Sequence, residues 1–108
     1  MTVKQFAEKF GFTSVCLPDS EREIHGAYIG DLLSWVMGKA NADNAWITIM
    51  SNMNIVAVAS LADLSCIILA EGVALDDDVR NAADTKGVNI LSSEKPAFEI
   101  ATIISGAV

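Results

Sequence analysis

Residues 46–72, WITIMSNMNIVAVASLADLSCIILAEG, decide the fold. An apolar run at 46–50 is followed by a polar turn at 51–54, a second apolar run at 55–62 and a third at 66–69. The lengths of these runs indicate a strand, a turn, a helix buried on nearly every side, and a second strand. Two neighbouring strands joined through a helix run parallel, because an antiparallel pair needs only a short link.

On the amino-terminal side of this unit, the pattern predicts one helix, two strands and a second helix. Thr2 and Gln5 have the spacing of a capping box, and Gly11 is placed to end the first helix. Extended segments are predicted at residues 12–17 and 24–29. Asp31 is then the predicted cap of a helix that ends near residue 37.

On the carboxyl-terminal side, an acidic run at residues 76–78 predicts the start of a helix, because carboxylates favour the positive helix end. A short strand follows at 88–91, and a last helix at 97–108. The polar residues of that helix, Glu99, Thr102 and Ser105, form one narrow stripe, and the rest is apolar. We therefore expect this helix to pack on its own sheet and on a second subunit in a homodimer.

The alternation of strands and helices predicts an α/β fold: a single three-layer domain, residues 1–108, with a mainly parallel sheet of about five strands flanked by helices. The formal net charge of −7 and the pI of about 4.4 argue against nucleic-acid and membrane partners. Cys16 and Cys66 are far apart and lie in strand-like contexts. They predict reduced, buried thiols in a cytoplasmic protein.

Ligands of open parallel sheets bind beyond the carboxyl ends of the strands. Three predicted loops qualify, and their candidate ligand-binding residues are Ser51, Asn52, Asn54, Glu71, Gly72, Ser92 and Ser93. The serines and asparagines suit a phosphate, a ribose or an amide. The alternative for each loop is structural, because serine and asparagine before a helix also serve as caps, and Glu71 can be a solvated acid.

Catalytic and metal chemistry has little support in the sequence. The phosphate-binding loop of nucleotide kinases and the dinucleotide-binding glycine motif are both absent. His25 is the only histidine, so neither a zinc site nor a Ser-His-Asp triad is predicted. We expect no catalytic residue and no metal ligand.

Five segments together resemble the DRTGG domain family. They are GAYIGDLLSWVM at residues 26–37, WITI at 46–49, NIVAVA at 54–59, IILAEG at 67–72 and GVNILSS at 87–93. The resemblance is closest to the stand-alone members that accompany iron-only hydrogenase genes. The family is also similar to the N-terminal domain of HPr kinase/phosphorylase.

The family motif is altered in this chain. Asn52-Met53 stands where the family commonly has Asp-Arg, and Ala70-Glu71-Gly72 stands where it has Thr-Gly-Gly, so Gly72 alone is kept. The resemblance implies a non-catalytic, regulatory or ligand-sensing module, with a nucleotide as candidate ligand and a partner in hydrogenase or energy metabolism. Two alternatives stay open: an interaction subunit without a small ligand, and an accessory phosphotransfer protein that uses Ser92 or Ser93.

Overall fold

The computed structural model describes all 108 residues, with five helices and five strands. The helices are α1 (Val3–Phe10), α2 (Leu33–Lys39), α3 (Asn54–Leu61), α4 (Asp77–Lys86) and α5 (Ala97–Ala107). The strands are β1 (Thr13–Cys16), β2 (Ala27–Ile29), β3 (Ala45–Thr48), β4 (Cys66–Leu69) and β5 (Ile90–Ser92). No helix has the length and apolar character needed to cross a membrane.

The five strands form one mixed sheet in the order β1-β5-β4-β3-β2. The predicted parallel pairing of β3 with β4 is confirmed, with Trp46 opposite Ile67. Strands β2 and β5 extend the parallel part on either side. The sheet is not purely parallel, because β1 is an antiparallel edge strand beside β5, with an irregular register between Ser14 and Cys16. An antiparallel edge on a parallel sheet is common in α/β domains.

The helices cover both faces of the sheet and give the predicted three layers. One core lies under α1 and α5, where Phe6 and Ile104 pack with Ile47 of the central strand. The other lies under α2, α3 and α4, where Val36 and Ile55 pack with Trp46. Because β3 and β4 are buried on both faces, their sequences are apolar without alternation, apart from Thr48 at the end of β3.

Several local predictions are confirmed. The Thr2 side chain accepts the Gln5 amide at 3.1 Å, and the Gln5 side chain accepts the Thr2 amide at 3.0 Å, so the capping box is complete. Gly11 adopts the left-handed conformation at the end of α1, as predicted. Gly87 has the same conformation at the end of α4.

Other local predictions are wrong. Helix α3 is not buried on nearly every side, because Ala57, Ser60 and Leu61 are exposed on its outer face. Apolar residues occur on the exposed side of α3 as well as on its buried side. The sequence therefore shows no alternation of polar and apolar residues that would reveal the exposed side. The strand predicted at residues 24–29 is shortened to β2, and α2 begins at Leu33 without a side-chain cap.

Candidate functional site

The carboxyl ends of β2, β3, β4 and β5 lie at one edge of the sheet, because these four strands are parallel. We call this edge the rim and define it by residues 30–32, 49–54, 70–73 and 92–96. All seven predicted ligand-binding residues fall within it. The topology thus brings the three predicted loops to a common edge, as expected from the helix-linked strands.

The loops after β4 and β5 are joined to each other by backbone hydrogen bonds. The Gly72 amide donates to the Ser93 carbonyl, and the Glu71 amide donates to the Lys95 carbonyl, both at 2.9 Å. Glu71 and Gly72 have φ values of 62° and 68°, and the Val73 amide closes the turn onto the Ala70 carbonyl. This tight turn leaves the Glu71 carboxylate exposed.

The two serines differ from the prediction. Ser92 is the last residue of β5, paired with Leu69 and Thr13, so it lies inside the sheet and not in a loop. The Ser93 hydroxyl accepts the Lys95 amide at 3.1 Å, which stabilises the loop. Neither serine caps α5, whose N-cap residue is Pro96 and has no side-chain cap.

The turn before α3 combines one side-chain hydrogen bond with free donors. The Asn52 side chain accepts the Asn54 amide at 2.9 Å, whereas Met53, the residue directly before α3, provides no side-chain cap. The backbone amides of Ser51, Asn52 and Met53 make no hydrogen bond within the chain. No acidic residue occupies the first turn of α3. Free amides at a helix start without a compensating carboxylate are suited to an anion.

Asp31 is a rim residue that sequence reasoning assigned wrongly to a helix cap. One of its carboxylate oxygens accepts the Thr48 hydroxyl at 2.7 Å and the Ile49 amide at 3.1 Å. Thr48 is buried, whereas Asp31 is exposed. Asp31 comes two residues after the carboxyl end of β2, and this position in the sequence could have predicted that it lies at the rim. The loops after β2 and β3 are joined through this carboxylate.

The rim therefore has two joined halves. One half is the turn at Glu71 and Gly72 held to Ser93, and the other is Asp31 held to the loop that leads to α3. The halves meet through β3 and β4, where the Ala70 amide donates to the Thr48 carbonyl at 3.0 Å. The side chains of Ser51, Asn52 and Asn54 make no hydrogen bond to Glu71 or Ser93.

The opposite edge of the sheet has a saturated polar network. The buried Asn89 side chain donates to the Asp19 and Ser65 carbonyls and accepts the Asp19 amide, all within 2.9 Å. The buried Asn44 side chain donates to the His25 carbonyl at 2.7 Å. Because these groups already satisfy one another, this edge is structural.

An arginine clamp stabilises the same edge. The Arg22 guanidinium lies 2.8 Å from both Asp43 and Asp63, and the two carboxylates raise the pKa of Arg22 despite its partial burial. His25 also lies at this edge, just before β2, whereas Ser92 ends β5 at the rim and Ser93 follows it. The only histidine and these two serines therefore lie at opposite edges of the sheet.

Two grooves indent the surface. A groove of about 250 Å³ between β1 and α4 is lined by Val15, Cys16, Arg80, Asn81 and Asp84. A more apolar groove of about 280 Å³, which we call the α3/α4 groove, is lined by Met53, Val56, Ala57, Ser60, Leu61, Ala82 and Lys86. It reaches the rim at Met53, beside the free amides.

Both cysteines are free thiols. Burial raises the pKa of Cys66 to about 12. Burial, followed by the nearby Asp84 charge, also raises the pKa of Cys16, whose thiol donates to the Val88 carbonyl at 3.3 Å. No group of three or more His, Cys, Asp or Glu residues is arranged to hold a metal ion.

Comparisons with known proteins agree with this architecture. A crystal structure of the CBS and DRTGG domains of the regulatory region of Clostridium perfringens pyrophosphatase, complexed with the activator diadenosine tetraphosphate, has the same fold, with a TM-score of 0.77 and 10% sequence identity. The match covers 95% of this chain and 45% of that chain. No curated protein matches the chain. The family model described as DRTGG domain matches residues 19–107, and the chain belongs to the DRTGG domain family.

Proposed function

We propose that the chain is a non-catalytic regulatory module that acts as a homodimer and senses an anionic small molecule, a nucleotide, at the rim. The observation that carries this proposal is the set of unpartnered amides at Ser51, Asn52 and Met53 at the start of α3. They offer donors to a phosphate in a chain whose net charge of −7 otherwise repels anions.

Acceptors for the neutral part of a nucleotide lie along the same rim. Asp31 keeps one carboxylate oxygen without an intramolecular hydrogen bond, and the exposed Glu71 carboxylate lies on the neighbouring turn. Carboxylates are suited to ribose hydroxyls and to exocyclic amino groups. The α3/α4 groove starts at Met53 and offers an apolar surface for a base.

The family and fold support a regulatory role. The domain family is shown by the match over residues 19–107, and the similar pyrophosphatase structure is a regulatory region complexed with a nucleotide activator. That structure contains CBS domains as well, and this chain spans less than half of it. A nucleotide is therefore the first ligand class to test here.

A thermal-shift and calorimetric titration with AMP, ATP, diadenosine tetraphosphate and pyrophosphate tests the ligand. At about 100 times Kd, binding should stabilise the folded state by about 2.7 kcal/mol. Ser51→Glu places a carboxylate among the free amides and should weaken nucleotide binding about tenfold, or ~1.4 kcal/mol. Gln5→Glu adds the same charge at the distant α1 start and keeps the capping box, so its affinity should equal that of the wild type.

Two results would contradict the ligand proposal. One is the absence of stabilisation by every compound at millimolar concentration. The other is equal nucleotide affinity in the Ser51→Glu and Gln5→Glu proteins. Unfolding of each variant without ligand shows whether Ser51→Glu is folded, so a lost site can be distinguished from a lost fold.

A second candidate function is that of an interaction subunit without a small ligand. The α3/α4 groove favours it, because Leu61 is 75% exposed and Met53 is 44% exposed beside Lys86. The resemblance to hydrogenase-associated members makes hydrogenase components in a reducing cytoplasm the first partners to test. Purified components should bind the wild type and lose affinity at least tenfold for Leu61→Glu. Unchanged binding by Leu61→Glu would contradict this use of the groove.

A further inference from the structure

The outer side of β2 is an unpaired edge of the sheet, since this strand is last in the order and pairs only with β3. The Gly26 carbonyl and the Gly30 amide bond β3 at 3.0 and 3.2 Å. Successive residues of a strand direct their backbone groups to opposite sides, so Ala27 and Ile29 each direct an amide and a carbonyl away from the sheet. Both residues are exposed, and no loop bonds these groups. The nearest side-chain hydrogen bonds end on the carbonyls of His25 and Gly30.

The two edges of the sheet differ in how they are protected. At the β1 edge the register is irregular between Ser14 and Cys16, and such a bulge hinders the addition of a further strand. Residues 26–30, GAYIG, contain no proline and no charge, and the pairing of β2 with β3 has no bulge. Apart from its shortness, β2 therefore lacks the features that close a sheet edge to another strand.

Exposed apolar side chains border this edge on the α5 face. Ile29 points to that face, because its partner Ile47 lies in the core under α1 and α5. Ile29 is nevertheless 49% exposed. Phe98, which is 81% exposed, lies in the first turn of α5, and this helix packs over β2 and β3. The apolar surface on this face is thus left uncovered at its outer margin.

Trp35 borders the same edge on the α2 face. Helices α2 and α4 both lie on this face and both run back from the rim. On α4, Ala82, directly before the buried Ala83, borders the α3/α4 groove, and Asp84, directly after it, borders the groove at β1. A residue directly before a buried position thus faces the β2 end of the sheet. Trp35 directly precedes the buried Val36, so it lies on the flank of α2 toward the outer edge of β2, where it is 55% exposed.

We propose that the outer edge of β2 binds an extended segment of a partner protein, which adds to the sheet as a further strand beside Ala27 and Ile29. The outward amides and carbonyls require an extended occupant, because only a strand presents backbone partners at the same spacing. Side chains of the added strand alternate between the two faces, so they contact Trp35 on one face and Ile29 on the other. The edge lies outside the free amides before α3 and outside the α3/α4 groove, so the pairing depends on neither.

Charge favours a basic segment over a second copy of this chain. Each chain has a net charge of −7, so two copies would bring equal negative charges together. Asp31 follows β2 at the rim and keeps one carboxylate oxygen without an intramolecular hydrogen bond. A lysine or arginine at the end of the added strand pairs with that oxygen. Lys39, whose ammonium lies 3.8 Å from the Trp35 ring centre, is at the far end of α2 from the rim.

A nitrogen–proton correlation spectrum recorded during titration with the peptide acetyl-Lys-Thr-Val-Ile-Val-Thr-Lys-amide tests the pairing. Lysine at both ends brings a cation to Asp31 in either strand direction. The amides of Ala27 and Ile29 and the indole of Trp35 should shift saturably, whereas the Ser14 amide on the other edge should not. The same peptide with glutamate in place of both lysines should bind about tenfold more weakly.

Two matched pairs of variants separate the backbone from the side chains. Ile29→Pro and Ile29→Thr both remove the isoleucine side chain, but only proline removes the outward amide. Proline is tolerated at an edge position whose N–H faces solvent, so Ile29→Pro should fold and bind the peptide about tenfold more weakly than Ile29→Thr. Trp35→Ala should weaken binding about threefold, whereas Met37→Ala, on the other flank of α2, should bind like the wild type.

The absence of a saturable shift at Ala27 and Ile29 would overturn the proposal. Equal affinity of Ile29→Pro and Ile29→Thr would do the same, with the spectrum of each variant without peptide showing that it is folded. If Ile29→Pro is unfolded, equal affinity of Trp35→Ala and Met37→Ala would overturn it instead. Binding of the glutamate peptide as tight as that of the lysine peptide would contradict a basic partner. Dilution of the wild type alone that moved the same amides would identify a second copy as the occupant, against the proposal.

Discussion

The Thr48 hydroxyl donates a 2.7 Å hydrogen bond to the Asp31 carboxylate, and the same carboxylate oxygen accepts the Ile49 amide. Thr48 ends β3 and is 2% exposed, while Asp31 follows β2 and is exposed. A side chain that looks like a helix cap in the sequence therefore connects the two strand ends at the rim. The path of the chain into the turn at Ser51 depends on this contact.

Replacing Asp31 should destabilise the fold through the loss of that contact. Asp31→Ala leaves the buried Thr48 hydroxyl and the Ile49 amide without their acceptor, and we expect a loss of about 1–3 kcal/mol in the free energy of unfolding. Urea denaturation measures it. Asp76→Ala removes an exposed carboxylate that makes no capping bond and should cost only about 0.5 kcal/mol. Equal costs for the two variants would contradict the role of Asp31.

Gly72 and Gly11 are both held in the left-handed region, with φ values of 68° and 73°. A Cβ at Gly11 would meet no atom, and one at Gly72 would meet only the carboxylate end of the exposed Glu94 side chain, which can move aside. Each Gly→Ala change should therefore cost about 1–2 kcal/mol for the left-handed backbone alone, as measured by urea denaturation. Gly106→Ala, inside α5 with ordinary φ and open space at its Cβ, should instead be neutral or stabilising. Equal effects of Gly72→Ala and Gly106→Ala would contradict the backbone requirement at Gly72.

Asn89 should be among the most sensitive polar residues in the chain. It is 1% exposed and its side chain makes three hydrogen bonds that hold Asp19 and Ser65 at the structural edge. Asn89→Ala leaves those backbone groups unpaired and should destabilise the fold by about 2–4 kcal/mol. Asn81→Ala, on the exposed side of α4, should change stability by less than about 0.5 kcal/mol. Similar losses for both variants would show that the network is not needed.

Cys66 should make stability fall at alkaline pH. Its folded-state pKa of about 12 lies above the value of about 8.5 for an exposed thiol, so the unfolded state releases its proton first as the pH rises. The stabilisation is complete below the unfolded pKa and is lost between about pH 8.5 and 12. Unfolding free energies of wild type and Cys66→Ala should therefore converge over this range. If the difference in unfolding free energy between the two proteins stayed constant with pH, this thiol would not contribute to the pH dependence of stability.

The parallel unit at residues 46–72 could be predicted because it depends on patterns within one short stretch of the sequence. Uninterrupted apolar strands such as β4, separated by a helix-length segment, permit few topologies. That unit also predicted the common edge of Ser51, Glu71 and Ser93, since parallel strands end together. The capping box at Thr2 could be predicted for the same reason, because it depends only on two residues three positions apart.

The remaining features depend on contacts between distant parts of the chain. Asp31 bonds Thr48, 17 residues away, in preference to capping α2, and no local pattern predicts that choice. Ser92 belongs to β5 because it pairs with Thr13 of the antiparallel edge strand. The exposed side of α3 was hidden because apolar residues occupy it too: Ala57 and Leu61 are exposed, whereas Ala59 is buried.

A nitrogen–proton correlation spectrum recorded during titration with a dinucleoside polyphosphate tests the central claim most directly. The account predicts that the largest shift changes fall on the amides of Ser51, Asn52 and Met53, with smaller changes at Glu71 and Gly72. The amide signals of residues at the structural edge, such as Asn44 and Asn89, should not shift. Changes confined to that edge, or a spectrum unaltered at saturating nucleotide, would contradict a ligand-sensing rim.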